Sequence, residues 1–219
     1  MSKQNGLPVL YSFRRCPYAI RARMALACSQ INVELREVIL REMPPAMLAC
    51  SPKATVPVLV FPDDTLLEES RDIINWALSE NDPENWMPAA DSEDYAAAQH
   101  LIDENDGRFK EQLDRYKYAE RYPEHPLEYY REQGGSFLKQ LDDRLSRAAW
   151  LLGERISVAD IAIFPFVRQF AHVDKPWFDQ LPWSHLQKWL DTLLKSDLFA
   201  SVMKKYPQWQ EGDAPTRFP

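Results

Sequence analysis

The stretch Val9-Leu10-Tyr11-Ser12-Phe13-Arg14-Arg15-Cys16-Pro17-Tyr18-Ala19-Ile20 sets a thiol where a short apolar strand ends and a helix begins. Pro17 suits the first helical position, because it has no N–H to leave unpaired there. Cys16 is then the N-cap, with unpaired backbone N–H groups directed toward its sulfur. That arrangement favours thiolate over thiol. Ala19 fills the place where a dithiol motif carries its second cysteine. A disulfide formed at Cys16 therefore needs an outside thiol to resolve it.

Outward from this stretch, strand and helix patterns alternate. Residues 9–13 read as a strand and 17–29 as a helix with Ile20, Met24 and Ala27 on one face. Residues 33–39 read as a half-exposed strand. Residues 45–50 form a short helix stopped by Ser51-Pro52. An apolar run over 56–61, a turn at Asp63-Asp64 and a returning strand over 65–67 follow. Ser70 caps a helix that runs to residue 79. The order β-α-β-α-β-β-α predicts an α/β domain with a mixed sheet over residues 1–80.

Pro83 and Pro88 break the pattern between residues 81 and 91. Beyond them no strand is evident. Helices are predicted near 92–120, 127–149, 158–170, 183–194 and 197–205, giving an all-helical domain over 92–219. Leu138, Leu141 and Leu145 form an apolar stripe at helical spacing. Ser157 and Asp160 resemble a capping box, and Ile156 and Ile161 are placed to staple across it. The tail from Trp209 to Pro219 reads as a segment that either drapes over the fold or stays mobile.

Composition narrows the partners. With 45% apolar and 27% charged residues this is an ordinary globular chain, and a net charge of −7 argues against nucleic acid or an anionic membrane. Cysteines at 16, 28 and 50 form neither a metal-ligand pattern nor an even disulfide framework. His100, His125, His172 and His185 have no ligand spacing, so no metal is expected. Met1 to Asn5 is polar and unlike a secretion signal, and no apolar run reaches a membrane span. A reducing cytoplasm is the expected setting. Cys28 and Cys50 read as structural.

Taken together, these motifs resemble the glutathione transferase superfamily over essentially the whole chain, and most closely its cysteine-type members. Tyr11-Ser12-Phe13-Arg14-Arg15-Cys16-Pro17-Tyr18-Ala19 and Ser51-Pro52-Lys53-Ala54-Thr55-Val56-Pro57-Val58-Leu59 are similar to omega-class-like bacterial transferases. Glu69-Ser70 matches the acid-serine pair that opens the third helix of that superfamily. Gly153 with Ser157-Val158-Ala159-Asp160 matches its helix-start motif in the second domain. The resemblance implies a thioredoxin-like N-terminal domain, an all-α C-terminal domain and glutathione as co-substrate.

It also implies roles. The Val56–Pro57 bond is expected to be cis, with the Val56 backbone pairing the cysteinyl unit of glutathione. Glu69 is expected to meet the ligand's ammonium and Ser70 its γ-glutamyl carboxylate, the latter fitting the anion preference of a helix N-terminus. Met43 stands where the omega class has a lysine for the glycine carboxylate, which leaves Arg41 and Lys53 as substitutes. Arg14 reads either as a wall of the site or as an ordinary strand-end residue. An acceptor site is expected in a cleft between domains. Phe109, Tyr116, Leu113 and Lys110 are its candidates, although helical packing explains them equally well.

The leading expectation is a thiol transferase or reductase in which Cys16 forms a mixed disulfide with glutathione and a second glutathione resolves it. The acceptor would be a small hydrophobic or disulfide substrate. Two alternatives stand: a protein-interaction module with this fold and little catalysis, and a transferase that conjugates glutathione to electrophiles through Tyr11 or Ser12. Monomer and homodimer both stay open.

Overall fold

Strand β1 (Val9–Ser12) lies at the centre of a five-stranded sheet, and its position follows from its neighbours. In chain order the other elements are α1 (Pro17–Cys28), β2 (Val33–Glu37), α2 (Pro45–Cys50), β3 (Val58–Val60), β4 (Leu66–Leu67) and α3 (Ser70–Glu80). There follow α4 (Glu93–Glu104), α5 (Lys110–Lys117), α6 (Leu127–Leu145), α7 (Val158–Ala171), α8 (Lys175–Phe178), α9 (Ser184–Leu194), α10 (Asp197–Val202) and β5 (Arg217–Phe218). The computed structural model describes residues 6–219, so the polar start Met1 to Asn5 lies outside the described residues.

The sheet order is β4-β3-β1-β2-β5. β1 and β2 are parallel, with Val9 opposite Glu34 and Ser12 opposite Glu37. A parallel pair needs a crossover, which α1 supplies. β3 runs antiparallel to β1, and β4 to β3. β3 begins at Val58, two residues later than the apolar run suggests, because Pro57 has no N–H for the ladder. Asp63 Oδ1 accepts from Thr65 N at 3.1 Å and closes the turn between β3 and β4.

The chain divides into two units: residues up to Glu84 together with Asp197–Pro219, and Asn85–Ser196. This differs from the expected all-helical domain over 92–219, because α10 and the tail return to the first unit. α10 packs on α1. β5 then adds to the open edge of β2, with Phe218 opposite Val33 and Leu35 N donating to Thr216 O at 2.7 Å. Unpaired backbone groups along a sheet edge are a ready template for another strand. Here the chain's own tail takes that place.

Helix α1 is buried almost all round, with α3 and α10 packed against it. Ala19, Ala22 and Ala25 are fully buried and allow close approach of the neighbouring elements. The expected single apolar face is therefore too narrow: Ala27 is only half-buried, whereas Arg21 and Arg23 are inside.

In the second unit the predicted 92–120 helix is α4 and α5 joined by a π-helical turn, Asn105–Phe109. Leu138, Leu141 and Leu145 of α6 are buried as their spacing requires. Asp160 is a buried hub at the start of α7. Its carboxylate accepts from Ser157 N at 2.9 Å, Leu151 N at 3.0 Å and Trp189 Nε1 at 2.8 Å. Burial pushes the Asp160 carboxyl up, and these donors oppose that effect. Among the described residues no helix is long and apolar enough to cross a membrane.

Candidate active site

Cys16 is the N-cap of α1, with extended backbone and Pro17 behind it, as the sequence predicts. Its sulfur makes no capping hydrogen bond to the helix N–H groups. Instead, the thiol donates to Val56 O at 3.6 Å. Its own N–H donates to Phe13 O at 3.0 Å, which closes the turn after β1. The Val56–Pro57 bond is cis. Cys16 packs with Met43, Cys50 and Trp209 against a cluster of Tyr11, Val38, Met47, Val56 and Val58. None of the three cysteines is in a disulfide.

Two buried guanidinium groups hold this corner together. Arg21 Nε donates to Ser70 Oγ at 3.0 Å, tying α1 to the start of α3. Arg23 is 2% exposed and donates to four neutral acceptors. They are Ser12 Oγ, Phe13 O at 3.5 Å, Arg14 O at 2.8 Å and Val202 O at 3.1 Å. Burial pushes its guanidinium down to about 10, and Glu37 and Cys16 oppose that effect. Glu37 Oε1 in turn accepts from Arg14 N at 2.7 Å, and burial raises the Glu37 carboxyl. Trp209 N donates to Glu37 O at 2.8 Å, so the tail is part of the same arrangement.

Arg21, Arg23, Glu37 and Trp209 were not among the sequence-derived site residues. A signal for the arginines exists: a helix that is apolar in every direction is buried all round, so its charged residues are buried with it. Nothing local in the sequence marks Glu37 or Trp209.

The other expected residues divide into groups. Ser70 is 3% exposed and occupies the first turn of α3, but Glu69 rather than Ser70 is the N-cap. Lys53 Nζ lies 3.3 Å from Glu69 Oε1 and 3.8 Å from Glu68 Oε2, and Ser51 Oγ donates to Glu68 Oε1 at 2.6 Å. Arg41 is exposed, in the turn where Ile39 bridges Glu42. Arg14 is half-buried and holds the turn through its backbone.

Phe109 and Tyr116 belong to the second unit. Both are 1% exposed and stack around Phe170, at 5.7 and 4.9 Å between ring centroids. Leu113 is fully buried and Lys110 is paired with Asp114. The acceptor-site expectation for Phe109 and Tyr116 is thus corrected to core packing: the rings on one face of α5 and the adjoining π turn are covered within their own unit. His100 is exposed. Tyr11 accepts at its hydroxyl from Arg36 Nη1 at 2.7 Å, and burial raises its phenol. Ser12 is fully buried against Arg23. Cys28 is pushed up to about 12 by burial and by nearby Asp82 and Glu84, which keeps it a thiol.

Comparison with known proteins places this geometry in a family. Residues 10–86 match the family described as glutathione S-transferase, N-terminal domain, and residues 99–192 match glutathione S-transferase, C-terminal domain. Among solved structures the chain is similar to a glutathione transferase family member from Pseudomonas fluorescens Pf-5 with two glutathione bound. That likeness has 20% identity and a TM-score of 0.78, over 92% of this chain and 94% of the other. It is also similar to the glutathione transferase URE2P6 from Phanerochaete chrysosporium in complex with oxidized glutathione. There the identity is 19% and the TM-score 0.77, over 92% and 96% of the two chains. No curated protein matches the chain. At such identities the structures establish the shared fold, and the two family matches cover β1 to α3 of the first unit and most of the second. The chain belongs to the glutathione transferase superfamily.

Proposed function

We propose that this chain is a glutathione-dependent thiol transferase or reductase of the cysteine type, closest to the omega class, acting in a reducing cytoplasm. The observation that carries the reading is the position of the Cys16 thiol, 3.6 Å from Val56 O beside the cis Val56–Pro57 bond. In a mixed disulfide the sulfur of glutathione must meet Cys16, and the Val56 backbone there is the edge along which the cysteinyl unit would lie. The solved relatives that carry glutathione or oxidized glutathione support the co-substrate.

The γ-glutamyl end falls to Glu69 and Ser70. At the first position of α3 the Ser70 N–H has no partner within the helix. Its hydroxyl accepts from Arg21, which leaves its proton for a carboxylate. Glu69 is the acid for the ammonium. Of the two cations offered for the glycine carboxylate, Lys53 already pairs with Glu68 and Glu69, so Arg41 is the better candidate.

In the proposed cycle the Cys16 thiolate attacks the glutathionyl sulfur of a mixed disulfide and releases the acceptor as a thiolate. A second glutathione thiolate then attacks the Cys16–glutathione disulfide. Oxidized glutathione leaves and the Cys16 thiolate returns. Each exchange forms one S–S bond and breaks one. Conjugation through Tyr11 or Ser12 fits less well, because both hydroxyls are buried and engaged with arginines. The test is Cys16→Ser, assayed for reduction of a glutathionylated substrate. Loss of exchange by at least about a thousandfold is expected. Retained exchange would remove the thiol mechanism.

A further inference from the structure

Arg23 is unusual for a buried cation, since every hydrogen bond described for it goes to a neutral oxygen. Burying a charge without a partner is costly, and a carboxylate in contact is the usual remedy. Here the carboxylate stands one step away. Glu37 accepts from Arg14 N, while Arg23 donates to Arg14 O, so the two charges hold opposite sides of one residue's backbone. Phe13 O is also shared, accepting from Cys16 N at 3.0 Å and from Arg23 Nη1 at 3.5 Å. The three-residue turn Ser12 to Arg14 therefore carries a cation, an anion and the Cys16 backbone on consecutive peptide groups.

We propose that Arg23 is the buried cation that compensates the Cys16 thiolate, and that Glu37 is its counterweight, limiting how strongly that charge acts on the sulfur. The inference rests on the reading of Cys16 as the reacting thiol. Both are positioning residues: they act through the turn and through the local field. The field in a partly dry corner is far stronger than in water. The other titratable groups around the corner are Arg14 and Arg15 on the turn, Tyr11 from β1 with Arg36 of β2 bonded to it and lying over Trp209, Cys50 from α2, and Tyr206 from the tail beyond α10, the last of which faces Arg23. Tyr11 and Tyr206 are uncharged near neutrality, as phenols ordinarily are, and burial raises both further.

The test is the pH profile of Cys16 alkylation by iodoacetamide in the full chain. Labelling is followed at the Cys16 peptide by mass spectrometry, so that Cys28 and Cys50 do not enter. Glu37→Gln removes the anion but keeps an oxygen to accept from Arg14 N. It is expected to move the profile to lower pH and to raise the rate at pH 6 about three- to tenfold. Arg23→Met is expected to move the profile the other way by a similar factor, and Arg23→Lys to restore most of it. A merely structural role would lower the melting temperature and move both profiles in one direction or in neither. Should Arg23→Met fail to fold, Glu37→Gln decides alone: an unmoved or rising midpoint overturns the proposal. Retained disulfide exchange in Cys16→Ser overturns the thiol reading itself. Exchange that needs Cys16 while its profile ignores Arg23 and Glu37 overturns only the present inference.

Discussion

Lys53 and Glu69, which the resemblance assigns to opposite ends of one ligand, are bonded to each other at 3.3 Å. The pair is open to solvent, with side chains 54% and 68% exposed. Such a pair contributes little to stability, about 0–1 kcal/mol. In the proposed binding mode, the lysine that would meet the glycine carboxylate is shared with the acids near the other end.

For glutathione affinity, Lys53→Met is expected to change the Michaelis constant less than about threefold. Arg41→Ala is expected to raise it about tenfold, the size of a lost charge-assisted hydrogen bond. Steady-state kinetics over a range of glutathione concentrations checks both. The reverse order would return Lys53 to the glycine carboxylate.

Asp160 holds three N–H donors from three separate points of the second unit. Asp160→Ala leaves Leu151 N, Ser157 N and Trp189 Nε1 buried without their acceptor. A loss of about 3–5 kcal/mol is expected, measured by urea unfolding. Asp160→Asn keeps one oxygen and should lose less.

Gly134 faces the aromatic stack of the same unit. A Cβ there would stand 2.7 Å from Phe170 Cε2. Phe170 has no room to turn aside, since Phe109, Tyr116 and Trp177 ring it at 5.7, 4.9 and 6.4 Å. Gly134→Ala should therefore destabilise by about 1–3 kcal/mol in thermal melting, although alanine is the better helix former.

Cys28 gives a pH signature of its own. Its thiol, ordinarily near 9.0, is pushed up to about 12 in the folded chain. The folded state thus holds this proton more tightly than the unfolded one. That contribution is fully present below about pH 9 and is lost as pH rises toward 12. Cys28→Ser should flatten the alkaline side of a plot of melting temperature against pH. At pH 8 the Cys28 peptide of the native chain should alkylate at least about a hundredfold more slowly than an unperturbed thiol.

Helix starts are legible wherever capping chemistry and backbone geometry share a few residues. Cys16-Pro17 marks a helix start by itself, because proline lacks an N–H and fixes its own φ. Ser157 and Asp160 mark another, three residues apart. Glu69-Ser70 opens α3 as expected, but with Glu69 rather than Ser70 as the N-cap, since either residue satisfies a helix start. Phe109 and Tyr116 stay open between a ligand and a core in the sequence, because an aromatic on a helix has the same spacing in both cases. Only the packing of Phe170 between them separates the two readings.

Local pattern in the sequence thus determined the alternation of strands and helices, the division into an α/β and a helical region, and the placing of Cys16 at a helix start. These depend on periodicity and capping within a dozen residues. The tertiary structure alone decided the return of α10 and β5 to the first unit, the burial of Arg21 and Arg23, and the meeting of Glu37 with Arg14. A two-residue strand has no period to read, and it exists only because β2 offers an open edge. A buried charge is tolerated only where distant segments bring it acceptors, and for Arg23 those acceptors come from residues 12–14 and from Val202.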